Sequence, residues 1–160
     1  MVWDTLQPYV VRLGNTPFAL WLGQSTWRIA GLLTVHLFGL TLLLGTILLS
    51  GLNLLGLFQR QKPAAQLRRE MQPVMALGFV VMLVSGALIF TGGAEAYYAG
   101  YWFRLKMVLL LAAVTFQLTA YRAATRAGGH VPRVARGVTG LLMLVIWFGV
   151  ACAGRAIAFF

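Results

Sequence analysis

The sequence predicts an all-α protein, a four-helix transmembrane bundle of up-down-up-down topology behind an N-terminal interfacial segment. Three observations predict it. Only 10% of the 160 residues are charged against 60% hydrophobic, and the mean hydropathy is +0.82, whereas a soluble domain carries about 25% charged residues. Four apolar segments approach or exceed the ~20 residues that a spanning helix needs. The basic residues behind the net charge of +10 gather in short stretches between those segments, which is how membrane helices are oriented. In a soluble chain that charge would suggest nucleic acid. No recognition motif or stacking platform accompanies it, so nucleic acid is excluded as a partner.

The elements follow in order. Residues 1–25 are set apart by Pro8 and Pro17 and by the aromatics Trp3, Tyr9, Phe18 and Trp21, a composition suited to lying at the membrane interface. Met1-Val2-Trp3-Asp4 has no basic region or cleavage site, so no removable signal peptide is expected. The domain proper is expected over 26–160. Its first span covers 26–58 and is long enough to tilt or to extend beyond the bilayer. Gln59-Arg60-Gln61-Lys62-Pro63 ends it, because proline removes a backbone donor and disfavours helix just before itself. The second span covers 74–90, its start softened by Pro73, and Thr91-Gly92-Gly93-Ala94 closes it. The third covers 102–121. The segment Arg126-Ala127-Gly128-Gly129-His130-Val131-Pro132 leads to the fourth, 138–158. Cys152 is the only cysteine, which rules out a disulfide within the chain.

Lysine and arginine set the expected orientation. The first and third connections carry eight of them: Arg60, Lys62, Arg68 and Arg69, then Arg122, Arg126, Arg133 and Arg136. The other side carries five: Arg12, Arg28, Arg104, Lys106 and Arg155. The positive-inside rule places the eight in the cytoplasm, which puts both termini on the outer, periplasmic side of a bacterial inner membrane. Arg28, Arg104, Lys106 and Arg155 then fall near the outer rim, with only Asp4 and Glu95 to balance them on that side. Snorkelling would accommodate each of them singly. Together they also suit an anionic partner, such as lipid head groups, heme propionates, a quinol head or an acidic subunit.

His36 is the residue most suggestive of chemistry. It stands in an apolar run, roughly 15 Å along the helix from its outer end, and an ionisable group at that depth faces a bundle interior, a cavity or a cofactor. Neutral imidazole is the usual ligand of b-type heme. The other histidine, His130, lies in the inner connection and reads as a solvated loop residue. A sixth ligand could come from Met82 on the second helix, from His36 of a second copy, or from another membrane subunit. Copper is a further alternative through His36, Met82 and Cys152, although no clustered ligand motif is present. The cofactor-free alternative makes His36 a hydrogen-bond partner of Gln117, Thr115 or Ser85 on a neighbouring helix. The apolar segments hold no carboxylate, and no phosphate loop, nucleophile elbow or zinc motif occurs, so an enzyme is not the expected reading.

Several short stretches resemble a known group: His36-Leu-Phe-Gly-Leu-Thr-Leu-Leu-Leu-Gly45, Leu52-Asn-Leu-Leu-Gly56-Leu, Phe103-Arg-Leu-Lys106-Met, and Trp147-Phe-Gly149 followed by Gly154-Arg155. From Trp27 onward the chain resembles uncharacterised bacterial four-helix membrane proteins, themselves distantly similar to the copper-resistance D (CopD) membrane domain. The resemblance implies the same topology and draws attention to His36, Arg104, Lys106 and Arg155. Relatives often carry an acidic-Leu-Arg run where this chain has Gly51-Leu52-Asn53.

The expected function is that of a small membrane redox protein or redox-complex subunit. His36 would ligate heme b, with Met82 as a candidate sixth ligand. Arg28, Arg104, Lys106 and Arg155 would hold the propionates or another anion, and electrons would pass at the outer face to quinone or a partner. The alternatives are a cofactor-free accessory subunit of a larger membrane complex and a copper-handling protein. Homo-oligomers or other membrane subunits are the expected protein partners.

Overall fold

A computed structural model describes residues 2–126, 131–157 and 159, without the side chains of residues 2–4. His130 and the carboxylate of Asp4 therefore lie outside the described residues. The described residues are mostly helical: α1 (Val2–Gly14), α2 (Pro17–Gly23), α3 (Thr26–Leu55), α4 (Ala64–Thr91), α5 (Ala94–Ala99), α6 (Tyr101–Phe116), a π-helical turn (Gln117–Tyr121) continuing into the short α7 (Arg122–Ala124), and α8 (Arg133–Ala156). Thr26–Leu55, Ala64–Thr91, Tyr101–Ala124 and Arg133–Ala156 are long and apolar enough to cross a membrane.

The boundaries depart from the sequence expectation for local reasons. The first spanning helix stops at Leu55 because Gly56 takes the left-handed conformation, with φ 73°. The Gly56 amide then donates to the Asn53 carbonyl at 3.0 Å and the Leu57 amide to the Leu52 carbonyl at 2.8 Å, the closure that glycine makes easy at a helix end. The Asn53 side chain ties down the connection beyond, its Nδ2 donating to the carbonyls of Phe58, Gln59 and Lys62 at 3.1–3.3 Å. The second spanning helix begins at Ala64, ahead of the apolar run, and passes through Pro73. The proline costs the bond to the Arg69 carbonyl, on a residue that is exposed. Ahead of α3 the chain forms two helices, Val2–Gly14 and Pro17–Gly23. The second is capped by Thr16, whose Oγ1 accepts from the Ala19 amide at 3.3 Å, and it opens with Pro17, which suits a first-turn position. α1 packs on α5, and α2 on α3, so the N-terminal helices cover the end of the bundle that bears the α4–α6 connection.

α3 is the hub. It packs on α4 and α8, and α8 packs on α6. Two glycine pairs set these distances. A Cβ on Gly39 would lie 2.8 Å from the Met82 amide nitrogen and 3.1 Å from the Gly78 carbonyl, and one on Gly78 would lie 2.7 Å from the Leu43 nitrogen. Further along, a Cβ on Gly140 of α8 would meet the Gly51 carbonyl of α3 at 2.9 Å. Backbone therefore meets backbone, as at the small-residue interfaces of membrane helices, where packing rather than water drives association. Large apolar side chains such as Leu37, Phe38, Val80, Val84, Leu111 and Val145 point outward, while Thr46, Ser50, Asn53, Ser85 and Thr125 are buried. That arrangement suits a lipid surround.

Gly39→Ala or Gly78→Ala should destabilise the protein by about 1–3 kcal/mol, because helix backbones must separate to admit the methyl group. Gly45→Ala, with open space around it, should be neutral or stabilising. Thermal unfolding in detergent distinguishes the two classes, and equal loss at all three positions would contradict the packing described.

Candidate functional site

His36 lies on the face of α3 that meets α4, one turn before the Gly39 contact. Its half-buried ring places Nδ1 3.0 Å from Ser85 Oγ. The Ser85 hydroxyl is directed at the carbonyls of Val81, at 2.6 Å, and Met82, at 3.3 Å. A hydroxyl has one hydrogen to give, and here it goes to the backbone of its own helix. With the hydroxyl hydrogen on its own helix, Ser85 Oγ can accept from Nδ1–H, and in that tautomer Nε2 carries the lone pair. Nε2 diverges from Nδ1 across the ring and is aimed away from the Ser85 contact. Gly86 makes room for this arrangement, since a Cβ there would stand 3.1 Å from His36 Cε1.

Lys106 is the second inward-turned group. Its stem crosses α8 at Gly154, where a Cβ would lie 3.3 Å from Lys106 Cε and Nζ. The ammonium is near enough to His36 to act on it electrostatically, and no carboxylate faces it among the described residues. Four helices thus converge here: α3 brings His36, α6 brings Lys106, and α4 and α8 supply Ser85 and the two glycines that admit the rings and stems. The arrangement can donate nothing from Nε2, but it can coordinate a metal there or accept a proton, beside a positive charge that favours an anion.

Arg28, Arg104 and Arg155 stay at the rim of this end of the bundle against aromatic rings. Arg28 lies 3.9 Å over the Trp21 ring and donates to the Trp21 carbonyl. Arg104 donates from Nε to the Tyr98 carbonyl at 3.1 Å, with the Tyr98 ring 5.8 Å away. Arg155 lies 4.7 Å over Phe159. Such contacts contribute about 0.5–2 kcal/mol each and hold the guanidinium groups at the rim. The four cations expected at one level are therefore three rim residues and one, Lys106, turned toward His36.

Met82 is 3% exposed and belongs to the core cluster with Leu43, Ile47 and Trp147. Cys152 is exposed on α8, so it and Met82 face different surroundings. Among the described residues no three histidine, cysteine or acidic side chains come together to hold a metal. Of the three partners the sequence offered His36, Ser85 is the one it meets, while Gln117 donates to Met75 Sδ at 3.3 Å. Gly86 was not singled out from the sequence. The row Gly78, Met82, Ser85 and Ile89, all buried on one face of α4, is the signal that would have found this neighbourhood.

Residues 12–160 match a protein family described only as a family of unknown function, DUF6644, and the chain belongs to that family. No curated protein and no solved structure matches it.

The His36–Ser85 bond should couple the two residues by about 0.5–1.5 kcal/mol, the range of hydrogen bonds between membrane helices. A double-mutant cycle of His36→Ala and Ser85→Ala, followed by unfolding in detergent, measures it. Strict additivity would mean that the bond contributes nothing to α3–α4 packing.

Proposed function

We propose that this member of the DUF6644 family is a small membrane redox protein, or a subunit of a membrane redox complex, in which Nε2 of His36 ligates a b-type heme. One observation carries the reading: His36 Nδ1 lies 3.0 Å from Ser85 Oγ, and with that oxygen as the acceptor of Nδ1–H the ring keeps a bare Nε2. Histidines that bind metals are oriented in this way, with the remote N–H donated to a fixed acceptor that sets tautomer and ring plane. The donor set fits in kind, since neutral imidazole is the usual axial ligand. Lys106, which no carboxylate faces among the described residues, offers a cation to a propionate, with Arg28, Arg104 and Arg155 at the rim for the same role. Met82 is packed in the core, so on this reading the sixth position is filled by His36 of a second copy or by another subunit. A bound heme would supply one-electron chemistry. The chain's own residues orient the ligand, present positive charge and keep the site half-closed. The excess of basic residues at the opposite end suggests a bacterial inner membrane with both termini on the outer side, where a quinone or an outer protein would exchange electrons.

A second reading rests on the same bond. His36–Ser85 is sufficient as a tie between helices, and the protein would then be a cofactor-free accessory subunit that packs against larger membrane proteins. Copper binding through His36, Met82 and Cys152 is the third reading, and the outward position of Cys152 favours it least.

The visible spectrum of the purified protein decides among them. On the heme reading the wild type shows a Soret band, His36→Ala loses it, and Ser85→Ala keeps it with a shifted midpoint potential. A colourless wild type from heme-supplemented cells, or a full heme complement in His36→Ala, would overturn the assignment.

A further inference from the structure

The end of the bundle away from His36 holds a second site. α4 and α6 touch where Phe90 and Phe103 stack, with centroids 5.0 Å apart, and their contact is otherwise sparse. Toward the arginine-rich end they part around a cavity of about 270 Å³, lined mainly by apolar side chains from these two helices and floored by Leu43 of α3 and Trp147 of α8. The wall on the α6 side is the π-helical turn, which directs Gln117, Leu118 and Tyr121 to the cavity. Such turns are rare and gather at functional sites.

Two features mark this cavity as more than a packing gap. Three of its lining residues carry buried polar atoms without a partner among the described residues: Trp147 Nε1, Gln117 Oε1 and Arg68 Nε. Trp147 is 3% exposed, so its N–H cannot be satisfied by bulk solvent, and orphaned buried donors are costly. The cavity also shares Arg68, Leu118 and Arg122 with an adjoining space of about 380 Å³ that adds Arg126. No acidic residue lines either space, and Glu70 is engaged by Lys62. Charges that only set topology can stay in the loops. Arg68 instead turns its Nε into the protein.

We propose that this slot binds an anionic amphiphile, with the phosphate or carboxylate head on Arg68, Arg122 and Arg126 and an acyl chain between α4 and α6. A head-group oxygen accepts from Arg68 Nε–H, and an oxygen nearer the chain accepts from Trp147 Nε1–H. Basic pockets between membrane helices recognise anionic lipids by the same chemistry. The site is independent of His36 and of any cofactor there.

The test uses full-length protein, delipidated in detergent and offered equimolar dioleoyl phosphatidylglycerol and dioleoyl phosphatidylcholine, with retained lipid read by native mass spectrometry. The wild type should retain phosphatidylglycerol at least tenfold over phosphatidylcholine, near one per chain. Arg68→Gln/Arg122→Gln should bring the ratio close to one. Ala76→Phe, which fills the slot from an exposed lining position, should abolish retention while the protein stays folded. His36→Ala should change nothing. Phosphatidylglycerol with brominated chains should quench tryptophan emission less in Trp147→Phe. Competition by oleate would identify a site that reads any anion on a chain, and failure of oleate to compete would identify a phosphate-specific one; both support the slot. Equal retention of the two phospholipids by the wild type, an unchanged ratio in the double arginine variant, or preference for a quinone over phosphatidylglycerol would overturn it.

Discussion

Close backbone contact along α3 is the constraint on which the rest of the molecule depends. Lipid is as apolar as leucine, so burying leucine in lipid does not hold helices together. Association has to come from approach close enough for dispersion and from polar contacts between helices. The Gly39/Gly78 and Gly51/Gly140 pairs let α3 approach α4 at one level and α8 at another. α3 becomes the centre of the bundle, and α6 reaches it through α8. His36 stands one turn from the first of these contacts, which is why its ring can reach a serine on the neighbouring helix.

Polar groups are spent sparingly and on the inside. Thr46 and Thr125 return their hydroxyls to carbonyls of their own helices at 2.8 and 2.7 Å. Asn53 holds the connection after α3, at the place where relatives were expected to carry charges, so a structural tie occupies that position here. Ser85 Oγ stands within hydrogen-bond reach both of carbonyls of its own helix and of His36 Nδ1. The consequence is that an imidazole and an ammonium share the interior at this level, where no carboxylate faces the ammonium among the described residues.

The two ends of the bundle differ in the way they hold positive charge. At the end covered by α1 and α2, arginines rest on aromatic rings at the rim and Lys106 alone turns in. At the other end Arg68, Arg122 and Arg126 surround a cavity whose buried polar atoms await partners.

The number of spanning helices and their approximate places were legible in the sequence, because hydropathy depends on local composition alone. Helix ends were less so. The stop at Gly56 is a local signal overshadowed by apolar residues beyond it, and the start of α4 at Ala64 lies in polar turns that hydropathy does not report. The choice of Ser85 over Thr115 and Gln117, the turning of Lys106 away from the rim arginines, the burial of Met82 and the exposure of Cys152 were decided only by tertiary structure. In a membrane helix apolar residues occupy both the lipid face and the core, so periodicity does not say which face turns inward. Only the meeting of backbones at particular glycines sets the rotation of each helix, and with it the partner of every polar side chain.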